Sequence, residues 1–187
     1  IASGTSFIIR DDDHYQDSFQ DGQASVGEWA ARTAGTHGNS IGVSICASAT
    51  AYEEVNKTTT SATEAKGQTV ISLTDASGFN VHDIVNFGET LGFEYQVTAV
   101  AADEGTITIK LKDDPVAAGL QNEITSGTQV RRRWRFYDLF AAAPGTSDYA
   151  TENQRGINDE MHIVVFDFLG DISGFSVTAN GNRTNAV

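Results

Sequence analysis

The middle of the chain alternates apolar and polar residues with a period of two. Thr69, Ile71 and Leu73 open the pattern, and Asp75-Ala76-Ser77-Gly78 turns the chain. Val81 to Phe87 follows, with Gly88 and Gly92 bounding a loop. Phe93, Tyr95, Val97 and Ala99 are then apolar at odd positions, against Glu94, Gln96 and Thr98. After a turn at Asp103-Glu104-Gly105, Ile107, Ile109 and Leu111 repeat the alternation against Thr108, Lys110 and Lys112. A last strand runs from Gln129 to Tyr137. About five strands in roughly sixty residues, each with one polar face, predict a half-buried antiparallel sheet. Short strands joined by close turns favour a small closed or nearly closed barrel.

The flanks read differently. Ser6 to Arg10 is a short strand, and residues 16–28 are a polar loop. In residues 30–46, Gly35, Gly38 and Asn39 supply the positive-φ positions of a tight reversal. Ile41, Val43 and Ile45 then share one strand face, and Gly42, Ser44 and Cys46 the other. One or two helical turns after Cys46 lead to Lys57–Gly67, whose small polar residues read as a linker. Pro144-Gly145 turns the chain, and Thr146, Ser147 and Asp148 are capping residues. Met161 to Phe168, the turn at Leu169-Gly170-Asp171, and Ile172 to Val177 predict a hairpin. Ile163-Val164-Val165-Phe166 is apolar on both faces, which predicts a central strand covered on both sides.

Composition narrows the function. The 187 residues include 25 acidic ones against 12 Lys and Arg, a formal net charge of -13, with a pI near 4.5. Such a surface repels phosphates, so no nucleic-acid partner is expected. The length suits one or two domains with a real core. The one cysteine, Cys46, excludes an internal disulfide or a cysteine-rich zinc site and reads as a small buried hydrophobe. No run of eighteen apolar residues is present to span a membrane as a helix, so no membrane partner is expected. The chain starts without Met or a basic leader, and reads as a piece of something longer.

Residues of chemical interest lie in several places along the chain. Asp11-Asp12-Asp13-His14 brings metal-ligating types together, but adjacent residues of an extended chain face opposite ways, and calcium loops space their ligands by two. The stretch reads as an exposed acidic loop. Glu160 and His162 share a strand face beside Asp159 and Asp167, the raw material of acid-base chemistry. No activated Ser or Cys, second histidine or cofactor fingerprint accompanies them, so a structural hydrogen bond is expected, with no catalytic, cofactor or metal residues. His37 and His82 stand alone in turns. Arg131, Arg133 and Arg135 share one face of the last strand, while Val130, Arg132, Trp134 and Phe136 share the other. The row reads as a solvated stripe meeting acidic partner surface. The sequons at Asn56 and Asn182 read as chance, and the glycines of 35–38 lack the spacing and Lys-Ser/Thr of a phosphate loop.

Two stretches carry a resemblance. Ala31-Arg32-Thr33-Ala34-Gly35-Thr36-His37-Gly38-Asn39-Ser40-Ile41 resembles the A-R-x-P-G-x-x-G-N-S-I/L pattern of contractile tail sheath proteins from myovirus-type bacteriophages, with Ala34 in place of the proline. Ala143-Pro144-Gly145-Thr146-Ser147-Asp148-Tyr149, then Arg155-Gly156-Ile157-Asn158-Asp159-Glu160-Met161-His162-Ile163-Val164-Val165-Phe166-Asp167, is similar to a second sheath pattern, A-P-x-T-S-D-Y…R-G-G-x-N-D-E-x-H-V-V-V-x-D, which Gly170, Ile172 and Gly174 complete. Ile157 stands where the family has a second glycine. The middle resembles the little β-barrel modules of phage structural proteins, with His82-Asp83 for Gly-Asp.

The resemblance implies an α+β, strand-rich fold: an antiparallel or mixed sheet domain of residues 1–60 and 133–187, with a small antiparallel β-barrel, 61–132, inserted. It implies a virion protein made in the host cytoplasm. Copies would stack in a helical lattice around the tail tube and contract to drive the tube through the host envelope, without enzymatic activity or cofactor. Contacts with the tube would lie outside this piece, and the piece alone would be monomeric. A surface module binding glycan or host surface is the alternative, and it calls for exposed aromatics on the barrel. A hydrolase would need a deep polar pocket around His162.

Overall fold

The computed structural model describes residues 10–20, 36–89, 92–112, 114, 116, 118–177 and 183–185. The fold is strand-rich with few helices, and the chain divides into two compact units. One comprises Ile1–Ser44, Val164–Thr178 and Arg183–Val187, and the other Ile45–Ile163 with Ala179–Asn182. No helix among the described residues is long and apolar enough to cross a membrane.

The larger unit is organised by one six-stranded sheet. Its strands are β2 (Glu53–Thr59), β3 (Val70–Ser72), β4 (Ile84–Asn86), β5 (Tyr95–Ala101), β6 (Thr106–Leu111) and β7 (Gln129–Arg133), numbered after β1 (Ile41–Cys46). They lie in the order β2-β7-β4-β5-β6-β3, every pair antiparallel. Alternation does the sorting. Ile71, Val85, Tyr95, Val97, Ile107 and Val130 are fully buried on one face, with Phe87 and Ile109 beside them. Burying such a side chain contributes about 1.5–3 kcal/mol, which offsets the ordering of short strands. The two outermost strands also meet. Thr60 and Leu73 form a bridge, with Ser61 N–H donating to the Ser72 carbonyl at 2.9 Å and Thr74 N–H to that of Thr59 at 2.8 Å.

Several expectations are corrected here. The stretch read as a linker is woven into the sheet: β2 takes in Lys57 to Thr59, and Thr60 and Glu64 are 1% and 3% exposed. Threonine is β-branched and serves a strand as readily as a loop, so composition misled. The larger unit is accordingly wider than residues 61–132. A bulge between Val97 and Ala99 shifts the β5 register. It turns Ala99 outward and Val100 onto the core. Gln96, an even and polar position, is 0% exposed.

In the flanks, Asp12–Ser18 is a helix, α1, and not a loop. Its N-cap, Asp11, accepts from His14 N–H at 2.8 Å, and Asp12 and Asp13 suit the positive helix end. The expected reversal at Gly38 and Asn39 is a helical turn, α2 (Thr36–Asn39). Gly35 and the strand at Ser6–Arg10, apart from Arg10, lie outside the described residues. Two further turns of helix are α3 (Ala49–Tyr52) and α4 (Asp148–Asn153), capped by Ser48 and Ser147. The predicted hairpin does not form. β8 (His162–Asp167) pairs with β1, while β9 (Phe175–Val177) pairs with β10 (Arg183–Asn185). Nor is β8 covered on both sides among the described residues: Ile163 and Val165 are 44% and 65% exposed. The ring of Phe166 instead lies where a side chain on Gly42 would stand.

Candidate functional site

The arginine row is the densest charged feature of the larger unit, and alternation places it as expected. Arg132, Trp134 and Phe136 are buried, and Arg131, Arg133 and Arg135 are half-buried. Its acidic counterpart, expected on a partner, is in the same chain. Antiparallel pairing sets Glu53 opposite Arg133, and the Glu53 Oε1 lies 2.6 Å from the Nε of both Arg131 and Arg133. Arg133 Nη1 donates to Glu94 Oε1 at 2.6 Å. The other oxygen of Glu94 accepts from the Tyr137 hydroxyl at 2.6 Å and Lys112 Nζ at 3.1 Å. Arg133 and Lys112 also lie over the Tyr137 ring, at 4.7 and 4.8 Å from its centroid.

The electrostatics follow from this packing. Burial alone would raise the carboxyls of Glu53 and Glu94. Arg133 and Arg131 hold Glu53 below the ordinary carboxylate value, and Tyr137, Lys112 and Arg133 do the same for Glu94. Burial, then the bond to Glu94, raises the Tyr137 hydroxyl.

On the opposite face, Arg132 reaches Glu54 Oε2 at 2.9 Å, Asp83 Oδ2 at 3.4 Å and the Thr50 carbonyl at 2.9 Å. It thereby ties α3 to the sheet. Burial raises the Asp83 carboxyl in spite of Asn80 and Arg132. Arg131, Arg132 and Arg133 therefore belong to an internal ion-pair network. Sequence reasoning missed Glu53, Glu94 and Tyr137. Glu53 becomes visible as a partner only once β2 is recognised as a strand.

Asp159, Glu160, His162 and Asp167 do not converge. Asp159 accepts from Ser147 N–H and Oγ at 2.8 and 2.6 Å. That bond holds its carboxyl below the ordinary value. Glu160 accepts from Gly145 N–H at 2.9 Å, and Asn158 N–H donates to Thr146 Oγ1 at 2.9 Å. His162 stacks on Phe140 at 3.9 Å, and its Nε2 lies 2.8 Å from the Ala142 carbonyl, so that nitrogen carries the proton. The expected structural bond is thus made to backbone, and not between Glu160 and His162.

In the smaller unit, Asp167 accepts from Ser40 Oγ, Ser173 N–H at 2.7 Å and Gly170 N–H at 2.9 Å. Ser40 Oγ in turn accepts from Leu169 N–H at 3.1 Å. Against a burial cost that would raise it, Ser40 and then Ser173 hold the Asp167 carboxyl well below the usual range.

The remaining candidates act locally. Burial raises the Cys46 thiol above its ordinary value, keeping it protonated. Among the described residues no three His, Cys, Asp or Glu side chains gather as metal ligands. A cleft of about 300 Å³ is lined by Phe87, Glu89, Asn122 and Thr128, among others, and includes none of the candidate arginines, histidines or aspartates. Phe79, Phe87 and Tyr95 lie in the core of the larger unit. Comparison with protein-family models, with curated proteins and with solved structures returns no match.

Proposed function

We propose that this chain is part of a contractile tail sheath subunit, a structural protein of a phage tail. In this reading the six-stranded sheet is a small closed barrel, carried as a peripheral insert between the two sheath-like flanks of the chain. The observation that carries it is the engagement of the sheath-like residues with one another. Ser40, in the first pattern, bonds Asp167, in the second, 127 positions away. Within the second pattern, Ser147 and Gly145 are held by Asp159 and Glu160. Closure of the barrel is supported by the bridge from Thr60 to Leu73, which joins the first and last strands of the sheet.

The role is mechanical. Copies stack around an inner tube in an extended lattice, and contraction moves the lattice between two packings. The exposed Ile163 and Val165 of β8 suit a chain that packs against further protein. Electron microscopy of the full-length protein expressed alone tests the proposal. Hollow sheath-like tubes are expected; dispersed particles under all assembly conditions would sink it.

A further inference from the structure

The cleft of about 300 Å³ lies between the turn that follows β4 and the segment that leads into β7, and what it binds does not depend on the sheath reading. Phe87 and Ile124, 2% and 3% exposed, form its apolar wall. Its frame is fixed. Ile124 and Glu64 exchange backbone hydrogen bonds of 2.9 and 2.8 Å. Thr60 Oγ1 donates to the Thr125 carbonyl at 2.9 Å and accepts from Thr128 N–H at 3.0 Å. A preformed cleft of this volume sits at the lower end of the small-molecule range.

Most side-chain donors of the cleft are already engaged within the chain. Asn122 Nδ2 donates to Glu89 Oε1 at 3.2 Å. The Thr128 hydroxyl donates to the Thr125 carbonyl at 2.8 Å. That leaves the Thr125 hydroxyl as donor in its 3.3 Å contact with Thr128 Oγ1. What remains for a ligand is acceptor capacity, from the hydroxyl oxygens, the Asn122 side-chain carbonyl and the carboxylates of Glu89 and Glu123.

Neither carboxylate has a cationic partner among the described residues. Glu89 is half-buried, and its Oε2 is shut away from solvent with no partner at ordinary hydrogen-bond geometry. Burial, and then Glu89, raise the Tyr95 hydroxyl above its ordinary value, so the carboxylate is felt inside the core. Charge so placed is ordinarily paired. A hard divalent ion wants six or more oxygens in a tight shell. A primary ammonium on an alkyl stem brings three donors, a positive charge and an apolar surface.

We propose that this cleft binds a primary alkyl ammonium, with its head between Glu89 and Glu123, the oxygens of Asn122 and Thr128 as further acceptors, and its stem against Phe87 and Ile124. The ammonium belongs either to a dissolved diamine or to a lysine side chain of another protein molecule.

The test titrates the whole chain with Nα-acetyl-lysine amide and with putrescine, at ionic strength held constant with NaCl. Saturable NMR shifts are expected at the Asn122 side-chain amide and the backbone amides of Gly88 and Glu123, with a dissociation constant on the order of a millimolar. Glu89→Gln and Glu123→Gln should each weaken binding at least about fivefold. Should Glu89→Gln fail to fold, Glu123→Gln, at an exposed position, carries the test alone. Shifts that grow linearly without saturating, that are unchanged in Glu123→Gln, or that Nα-acetyl-norleucine amide reproduces without an ammonium overturn the site. The two probes separate the sources. Putrescine binding at least about fivefold tighter identifies a dissolved diamine, and any smaller preference identifies a lysine side chain.

Discussion

Strands β5 and β8 are both rich in apolar residues, and they end in opposite environments. β5 is hydrogen-bonded on both edges, to β4 and β6, and Tyr95 and Val97 are 0% exposed. β8 pairs with β1 alone among the described strands, and Val165 is 65% exposed. From sequence, β8 is the more apolar of the two and has no polar face to give to water. Apolarity therefore states what a strand can bury; the neighbours it acquires decide what it does bury. A two-stranded sheet also offers little stability of its own, whereas β5 belongs to a sheet whose first and last strands are bridged.

The sharpest test of that contrast is a pair of truncations. Tyr95→Ala empties a core position whose hydroxyl also accepts from Gln121 N–H at 2.8 Å. It should cost about 3–5 kcal/mol in urea unfolding. Val165→Ala should change stability by less than about 0.5 kcal/mol. A loss above about 2 kcal/mol from Val165→Ala in the monomer would mean that β8 is buried in solution after all.

The two faces of β7 separate next. Arg132→Ala leaves Asp83 and Glu54 facing each other without their cation and should cost about 3 kcal/mol or more, while Arg132→Met should cost less. Arg131→Ser, on the half-exposed face, should fall below about 1 kcal/mol. Equal losses in calorimetry would erase the distinction between buried and solvent-facing members of the row.

Acid should act through the same network. Glu53 and Glu94 have folded-state values below the ordinary one. Their stabilisation is fully present above about pH 4.3 and drains as pH falls through and below that value. Asp83, raised by burial, works in the opposite sense: its cost at neutral pH disappears as it takes up a proton. The urea midpoint should therefore fall between about pH 5 and pH 3, with a shallower fall in Glu94→Gln. A midpoint equally steep in that variant would place the acid sensitivity elsewhere.

The smallest effect expected lies outside the sheet. Gln154 closes α4 at φ 52°, in the left-handed region. Gln154→Gly should raise stability by up to about 1 kcal/mol by removing that strain, and thermal melting would register it. A loss on substitution would show that the Gln154 side chain contributes more than its backbone costs.

The sequence legibly marked the strands from Ile71 to Arg133, the alternation that buries Val130 and Arg132 beside each other, and the cap at Ser147. These follow from the two-residue period and from short-range hydrogen bonding, both written locally in the chain. A shared strand face predicts a bond between Glu160 and His162; it does not predict that Asp159, Glu160 and Asp167 engage backbone and serine hydroxyls instead. What local rules miss is pairing at a distance. Thr58 to Thr60 read as linker because threonine serves strand and loop alike, and only the partner strand β7 decides between them. The same pairing brings Glu53 to Arg133 and turns an expected docking stripe into an internal network.

Tertiary structure alone also decided the environment of Gln96, the phase shift at the β5 bulge and the exposure of Val165. Sequence period fixes which residues share a face. Burial of that face depends on what the chain, or another chain, lays over it.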